Sequence, residues 1–84
     1  MKKVDIWSFK MCPFCVKAKK LLDKLEIAYE ETVIPWGDSR LQELEAKTGC
    51  GSLPQIFADG EFIGDCSKIH DLHAEGVLEK LLKG

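Results

Sequence analysis

The segment VDIWSFKMCPFC, residues 4–15, decides the fold of this chain of 84 residues. Residues 4–9 alternate apolar and polar side chains and are rich in β-formers, so they predict a strand. A proline then opens residues 13–26, where it suits the first position of a helix, and the apolar residues after it recur at helical spacing. The segment therefore predicts a strand-to-helix turn that carries Cys12 and Cys15 at the start of the helix.

The middle of the chain predicts a second strand and a second helix. Residues 27–33 have the composition of a strand. Ser39 and Gln42 form the pattern of a capping box, which predicts the start of a helix of about ten residues. Gly49 predicts the end of that helix, since glycine accepts the left-handed backbone that commonly follows a last turn.

The last third of the chain predicts a hairpin and a final helix. Residues 54–58 and 61–64 flank an Asp-Gly pair, the sequence that favours a tight hairpin turn. Ser67 is the predicted N-cap of the final helix, and Gly76 is predicted to break or bend it. The order β-α-β-α-β-β-α predicts an α/β fold with a four-stranded mixed sheet flanked by helices, in a single domain over residues 1–84.

The composition excludes several classes of function. Hydrophobic residues make up 45% of the chain and charged residues 31%, which is typical of a globular protein. A net charge of -2 gives no strong basic field for nucleic acid or an anionic membrane. No stretch approaches the roughly 18 apolar residues of a membrane span, and Asp5 and Ser8 interrupt any signal-peptide core. We therefore expect a cytoplasmic protein, in a compartment that keeps thiols reduced, and we expect it to act as a monomer.

Cys12 and Cys15 are separated by two residues beside the predicted β-α-β unit, the arrangement of a redox pair. We expect Cys12 at the N-cap, where free helix N–H groups and the helix dipole favour a thiolate. Cys15 lies one turn further on, close enough to form a disulfide with Cys12. Cys12 is therefore the predicted nucleophile, and Cys15 is the predicted resolving and more buried thiol.

A structural zinc site is the alternative that the cysteine pair leaves open. Its further ligands would be Cys50 and Cys66, or His70 and His73. The spacing of Cys50 and Cys66 is not that of a second zinc knuckle, and Pro13 stiffens the first loop, so we predict no metal ligands. Taken alone, Cys50 and Cys66 are typical of small, unreactive thiols.

Three motifs resemble those of the glutaredoxin family: C-P-F-C at residues 12–15, S-L-P-Q-I-F at 52–57 and F-I-G-D-C-S at 62–67. Family members with two active-site cysteines usually show C-P-Y-C, T-V-P-Q-I-F and a turn of the G-G-x-D type. The order and separation of the motifs match, so the resemblance extends over nearly the whole chain. It implies a thioredoxin-like fold and thiol–disulfide oxidoreductase activity.

The resemblance also implies a glutathione site beside the cysteine pair. Pro54 would be cis, and the backbone of Leu53 would pair with the cysteinyl part of glutathione. The turn at residues 66–67 would bind the γ-glutamyl carboxylate through helix N–H groups, which is a physically sound anion site. The implied contacts are Lys10, Pro13, Phe14, Leu53, Pro54, Asp65, Cys66 and Ser67, with Arg40 and Gln55 as further candidates.

The chain departs from the family pattern at three positions. Phe9 stands where the family often has lysine, and Lys10 follows one residue later. Asp65 replaces the second glycine of the turn, and Ser67 replaces its usual acidic residue. These departures bear on how the chain would bind glutathione.

The resemblance implies an enzyme that uses glutathione as co-substrate, holds no permanent cofactor and serves electron transport and cell redox homeostasis. It would reduce protein disulfides through Cys12 and Cys15, and glutathione mixed disulfides through Cys12 alone. One alternative is a redoxin reduced by thioredoxin reductase, which the three departures favour. Another is a module that binds an iron–sulfur cluster through Cys12 and glutathione, against which Pro13 and the second cysteine count. Cys66 is a candidate regulatory thiol.

Overall fold

The computed structural model describes residues 2–10, 12–35 and 37–83. The predicted order of elements is confirmed, and one further helix follows at the end. Within the described ranges, none of the helices is long and apolar enough to cross a membrane. In chain order the elements are β1 (Val4–Phe9), α1 (Pro13–Lys24), β2 (Glu30–Ile34), α2 (Ser39–Thr48), β3 (Gln55–Ala58), β4 (Glu61–Gly64), α3 (Cys66–Ala74) and α4 (Leu78–Lys83).

The strands form one mixed sheet in the order β2-β1-β3-β4. β1 pairs in parallel with β2 and antiparallel with β3, and β3 pairs antiparallel with β4. The turn between β3 and β4 has positive φ at both central residues, 50° at Asp59 and 82° at Gly60. This is the backbone that an Asp-Gly pair favours in a two-residue hairpin. The sheet and its helices confirm the predicted thioredoxin-like α/β fold.

Helices cover both faces of the sheet. Successive side chains of a strand point to opposite faces, so β1 contributes to a buried cluster on each face. Val4 and Ile6 of β1 belong to a buried cluster that also contains residues of α1, α3 and α4. Phe9 belongs to a second cluster, which contains Leu44 of α2. The second cluster also holds the two cysteines of the C-P-F-C motif, so it connects the core to the candidate site.

α1 ends in a hydrogen-bonded motif that delays the start of β2. Glu26 has a left-handed backbone with φ 58°. The N–H of Glu26 donates to the carbonyl of Asp23 at 3.0 Å, and the N–H of Ile27 donates to the carbonyl of Leu22 at 2.9 Å. These two hydrogen bonds form a Schellman motif, so the N–H of Ile27 is bonded to α1 and is not available for pairing in a strand. The prediction of a strand from residue 27 is therefore wrong at its start, since β2 begins at Glu30.

The N-cap of α2 is Asp38 and not the predicted Ser39. Asp38 accepts a hydrogen bond from the N–H of Arg40 at 2.8 Å, and Ser39 is the first helical residue. An ionised carboxylate is a stronger acceptor than a hydroxyl and also interacts favourably with the positive end of the helix dipole. The predicted end of the helix is confirmed, since Gly49 is its C-cap with φ 78°.

The N-cap of α3 is likewise an aspartate, Asp65, and not the predicted Ser67. Its carboxylate accepts a hydrogen bond from the N–H of Lys68 at 2.9 Å. The predicted interruption at Gly76 is confirmed. Gly76 has φ 77°, and α4 begins at Leu78 after it.

Candidate active site

Cys12 lies at the N-cap of α1, as the sequence predicts. Its backbone is extended, with φ -103° and ψ 117°, and Pro13 follows in the first turn. The N–H of Cys15 donates a hydrogen bond to Sγ of Cys12, with an N···S distance of 3.4 Å. This donor and the positive end of the helix dipole both favour negative charge on the Cys12 sulfur.

Cys15 is the more deeply buried of the two thiols, with 1% of its surface exposed against 6% for Cys12. Burial and the hydrogen bond with Cys12 raise the pKa of Cys15 to about 12, and the backbone of Phe9 and the charge of Lys19 offset this only in part. Cys15 is therefore protonated at neutral pH. Both cysteines are free thiols in this structure, and the helix end gives their sulfurs different environments.

Gln55 fixes the loop that precedes β3. Its Nε2 donates hydrogen bonds to the carbonyl oxygens of Cys50 at 2.7 Å and Ser52 at 3.1 Å. The peptide bond between Leu53 and Pro54 is cis, as the family resemblance implies. Gln55 is 0% exposed, and its amide group holds this loop from within the protein.

A surface cavity of about 190 Å³ lies where this loop meets the starts of α1 and α3. Six of the eight implied contact residues line it. Ser52 also lines the cavity; its place at the start of the S-L-P-Q-I-F motif is the sequence signal that could have indicated it as a contact. The lining residues are Phe14, Ser52, Leu53, Pro54, Asp65, Cys66 and Ser67.

Four candidate contacts lie outside this set of lining residues, and the buried Gln55 is one of them. Lys10 is exposed in the turn after β1, and Pro13 is exposed at the start of α1. Arg40 directs Nε and Nη2 to the two carboxylate oxygens of Asp38, at 3.1 and 2.9 Å. Its guanidinium is thus paired with the residue that caps its own helix.

Asp65 places a negative charge at the edge of the cavity. The first N–H groups of α3 favour an anion at this point, because they are aligned with the helix dipole. The Asp65 carboxylate already uses one of these groups, because it accepts a hydrogen bond from the N–H of Lys68. It therefore competes with any carboxylate of a ligand bound at the same helix end.

Cys66 lies between this cavity and an adjoining one of about 330 Å³, whose lining includes Lys17 and His70. The pKa of the Cys66 thiol is raised, mainly because the thiol is buried. Its sulfur lies 3.6 Å from Nδ1 of His70, which also lies 2.7 Å from the Cys66 carbonyl oxygen. A protonated thiol is a weak nucleophile, so this environment does not favour the predicted regulatory role for Cys66.

Phe14 is an exposed aromatic side chain between the two cysteines. It is 60% exposed, and Nζ of Lys17 lies 5.6 Å from the centroid of its ring. Exposed aromatic residues are frequent contact residues at protein interfaces. Phe14 therefore forms an exposed apolar surface between the two cysteines.

The ligand set of the zinc alternative does not assemble in the described ranges. There, no group of three or more His, Cys, Asp or Glu side chains comes together as metal ligands. The sulfur of Cys50 lies instead 3.5 Å from the hydroxyl oxygen of Ser52.

Comparison with known proteins agrees with this geometry. The family model described as Glutaredoxin matches residues 4–63. A protein of Rickettsia bellii (strain RML369-C) named Glutaredoxin 1 is 43% identical over 85 aligned positions, which cover 96% of this chain and 87% of the relative. Glutaredoxin 3 of Escherichia coli (strain K12) is 35% identical over 83 positions, which cover 99% of this chain and 100% of the relative.

Two solved structures are similar over nearly the whole chain. The holo form of glutaredoxin C1 from Populus tremula x tremuloides superposes with a TM-score of 0.88 at 28% identity, covering 95% of this chain and 82% of the other. A buckwheat glutaredoxin–glutathione complex superposes with a TM-score of 0.89 at 28% identity, covering 98% and 77%. With the C-P-F-C pair at the start of α1, these matches place the chain in the glutaredoxin family, whose members are thiol–disulfide oxidoreductases.

Proposed function

We propose that this chain reduces protein disulfides by a two-cysteine route, with glutathione as the reductant. The thiolate of Cys12 attacks one sulfur of the substrate disulfide, and the other sulfur leaves as a thiolate that takes up a proton. Cys15, once deprotonated, attacks Sγ of Cys12 and expels the remaining substrate sulfur, which leaves a Cys12–Cys15 disulfide. Two glutathione molecules then restore the dithiol and form glutathione disulfide.

The asymmetry of the two sulfurs is the single observation that carries this proposal. The sulfur of Cys12 accepts a helix N–H, while Cys15 is buried, with a pKa raised to about 12 by burial. The thiolate is the nucleophilic form of cysteine, so the first attack falls to Cys12. Cys15 is held one helical turn away, where it meets the mixed disulfide after the first step.

Glutathione mixed disulfides would require Cys12 alone. Its thiolate attacks the sulfur of the bound glutathionyl group and expels the protein thiolate. A second glutathione then attacks the glutathionyl sulfur, forms glutathione disulfide and returns Cys12 as a thiolate. This one-cysteine route leaves Cys15 unused.

The proposed glutathione site is the cavity between the cis-proline loop and the start of α3. The backbone of Leu53 would pair with the cysteinyl part of glutathione, and the α3 N–H groups near Cys66 and Ser67 would bind its γ-glutamyl carboxylate. Support comes from the buckwheat glutaredoxin, a structural neighbour solved as a glutathione complex. Phe14 lines this cavity, and we propose that Pro13 and Lys10 also contact glutathione, Lys10 through a glutathione carboxylate.

Two substrates test the proposed function: a protein with an accessible disulfide and a protein that carries a glutathionyl group. Cys12→Ser should abolish reduction of both. Cys15→Ser should abolish reduction of the protein disulfide and retain reduction of the glutathionyl group. Cys50→Ser is the matched control and should retain both activities. Full activity of Cys12→Ser on either substrate would contradict the proposal.

The electron donor is tested by supplying either glutathione with its reductase or thioredoxin reductase with NADPH. We propose that glutathione reduces the Cys12–Cys15 disulfide, and faster reduction by thioredoxin reductase would replace this part of the proposal. We further propose that the enzyme acts as a single-domain monomer in the cytoplasm. A shift of its sedimentation coefficient to that of a dimer would contradict the monomer.

A further inference from the structure

A hydrogen-bonded network of three side chains joins α1 to β1 and β2. Nζ of Lys19 lies 2.8 Å from Oε2 of Glu31, and the hydroxyl of Ser8 donates to the same oxygen at 2.7 Å. Ser8 is 0% exposed. The side chains of Lys19 and Glu31 are only 29% and 26% exposed, so their pairing is less screened by solvent than that of a surface ion pair.

Lys19 is also the member of the network that acts on the resolving cysteine. It follows Cys15 by one turn of α1, and side chains four residues apart lie on the same face of a helix. The backbone of Phe9 and, to a smaller extent, the charge of Lys19 favour the thiolate of Cys15. Burial and the sulfur of Cys12 oppose that thiolate.

We propose that Lys19, held by Glu31 and Ser8 on the helix face that it shares with Cys15, is a positioning residue that speeds the attack of Cys15 on a mixed disulfide at Cys12. This inference rests on the two-cysteine route proposed above. It assigns to a half-buried ion pair a role in the second step of that route, while the first step belongs to Cys12.

The effect of Lys19 is greatest in the mixed disulfide itself. In the reduced protein, the hydrogen bond and the charge of Cys12 help to keep Cys15 protonated. Once Cys12 is bonded to a substrate sulfur, it carries no charge and both of these contributions are lost. Burial then opposes ionisation of Cys15, and the backbone of Phe9 and the charge of Lys19 favour it. Glu31 and Tyr29 face Lys19 and modify its charge, and Glu31 is its main partner.

The expected size of the effect follows from two opposing changes. Loss of a partly buried ammonium one helical turn from Cys15 should move the ionisation of its thiol up by about one pH unit, a tenfold loss of thiolate at neutral pH. A more basic thiolate is about threefold more nucleophilic, with a Brønsted slope of ~0.5. The resolving step should therefore be about threefold slower at pH 7 in Lys19→Gln.

Stopped-flow reaction of the reduced full chain with one equivalent of 2,2′-dipyridyl disulfide separates the two steps. Attack by Cys12 releases the first pyridinethione, and attack by Cys15 on Sγ of Cys12 releases the second. Cys50→Ser and Cys66→Ser are present throughout, so that only the active-site pair reacts. The rate constant of the second, unimolecular release is measured between pH 6 and 9 in the reference protein, Lys19→Gln, Lys19→Arg, Glu31→Gln and the surface control Lys24→Gln.

Because the proposed effect depends on the charge of Lys19, substitutions of Lys19 and of Glu31 should have different effects on the rate of the second release. Lys19→Gln should shift the pH–rate profile of the second release upward by about one pH unit, while Lys19→Arg should restore it. Glu31→Gln should leave the profile in place or shift it downward, since glutamine keeps an oxygen that accepts from the Lys19 ammonium and removes only the negative charge. Lys24→Gln should match the reference.

Equal slowing by Lys19→Gln and Glu31→Gln would overturn the proposal, because it would show that the pair acts only by holding α1 on the sheet. An unchanged profile in Lys19→Gln would overturn it as well. Failure of the two-cysteine route itself is distinguishable, since the reference protein would then release one pyridinethione and not two.

Discussion

Replacing Asp65 with alanine should lower the free energy of unfolding by about 1 kcal/mol. Oδ1 of Asp65 accepts the N–H of Lys68 at 2.9 Å, and alanine leaves this N–H of the first turn without its cap. This hydrogen bond is exposed, so in the variant water can bind the freed N–H group. The loss of unfolding free energy should therefore be near the middle of the range for N-caps. For a domain of this size, 1 kcal/mol corresponds to a Tm lower by about 4–8 °C.

The same substitution should improve binding of a ligand carboxylate at the start of α3. Asp65 competes with such a carboxylate, and its removal should lower the KM for a glutathionylated substrate by about two- to fivefold, or roughly 0.5–1 kcal/mol. Asp65→Asn separates the two effects, because asparagine keeps an oxygen that caps the helix and removes the charge. It should retain most of the stability and show the lower KM.

Urea unfolding followed by circular dichroism, together with steady-state kinetics, measures both effects in Asp65→Ala, Asp65→Asn and Ser67→Ala. Ser67→Ala is the matched control, since Ser67 would be the cap in the pattern read from the sequence. If Ser67→Ala proves more destabilising than Asp65→Ala, the assignment of the cap is refuted. If Asp65→Asn leaves the KM unchanged, the charge does not reach the bound ligand.

Three further predictions concern two buried residues, Cys15 and Gln55, and the partly exposed Glu31. Iodoacetamide at pH 7 should label Cys12 before Cys15, whose pKa of about 12 results mainly from burial; peptide mass mapping that finds Cys15 labelled first would reverse their roles. The pKa of Glu31 lies below its ordinary value because its hydrogen bonds favour the carboxylate, so its stabilising effect is present above that ordinary value and is lost as pH falls through the folded pKa. The loss of unfolding free energy in Glu31→Gln should therefore be larger at pH 7 than at pH 3, and an equal loss at both would contradict this. Gln55→Ala should cost about 1–3 kcal/mol, since two loop carbonyls lose their donor, whereas the exposed control Gln42→Ala should cost under about 0.5 kcal/mol in the same urea titration; similar losses would show that Gln55 does not anchor the loop.

Local sequence was sufficient to predict the features that depend on near neighbours. Pro13 fixes the start of α1, so the N-cap position of Cys12 follows from the sequence alone. The Asp59–Gly60 pair fixes the hairpin turn for a similar reason, because its backbone requires positive φ at both residues. The cis peptide at Pro54 does not follow from local sequence, and only the family resemblance implied it.

The errors in the helix starts have a different cause. At both α2 and α3, a serine and an aspartate with similar capping preferences stand one or two residues apart, so the local pattern does not choose between them. The choice depends on which start lets the apolar residues of the helix reach the core, and Ile69 and Leu72 of α3 are both buried in the larger cluster. The contacts of Lys19 with Glu31 depend in the same way on how α1 sits beside β2, which no local pattern shows.

The chemical difference between the two cysteines follows from a single helix end. A residue at the N-cap has its side chain beside N–H groups that no carbonyl of the helix can satisfy, and Cys12 takes the N–H of Cys15 in this way. A residue three positions later lies inside the first turn, and in α1 this position faces the cluster that contains Leu53 and Phe57. The spacing of two residues between the cysteines therefore gives one sulfur that receives a helix N–H and one that is desolvated. Cys15 must become charged in this desolvated position before it can attack the mixed disulfide. The partly buried ammonium of Lys19, one turn further along α1, therefore affects this second step and not the first attack by Cys12.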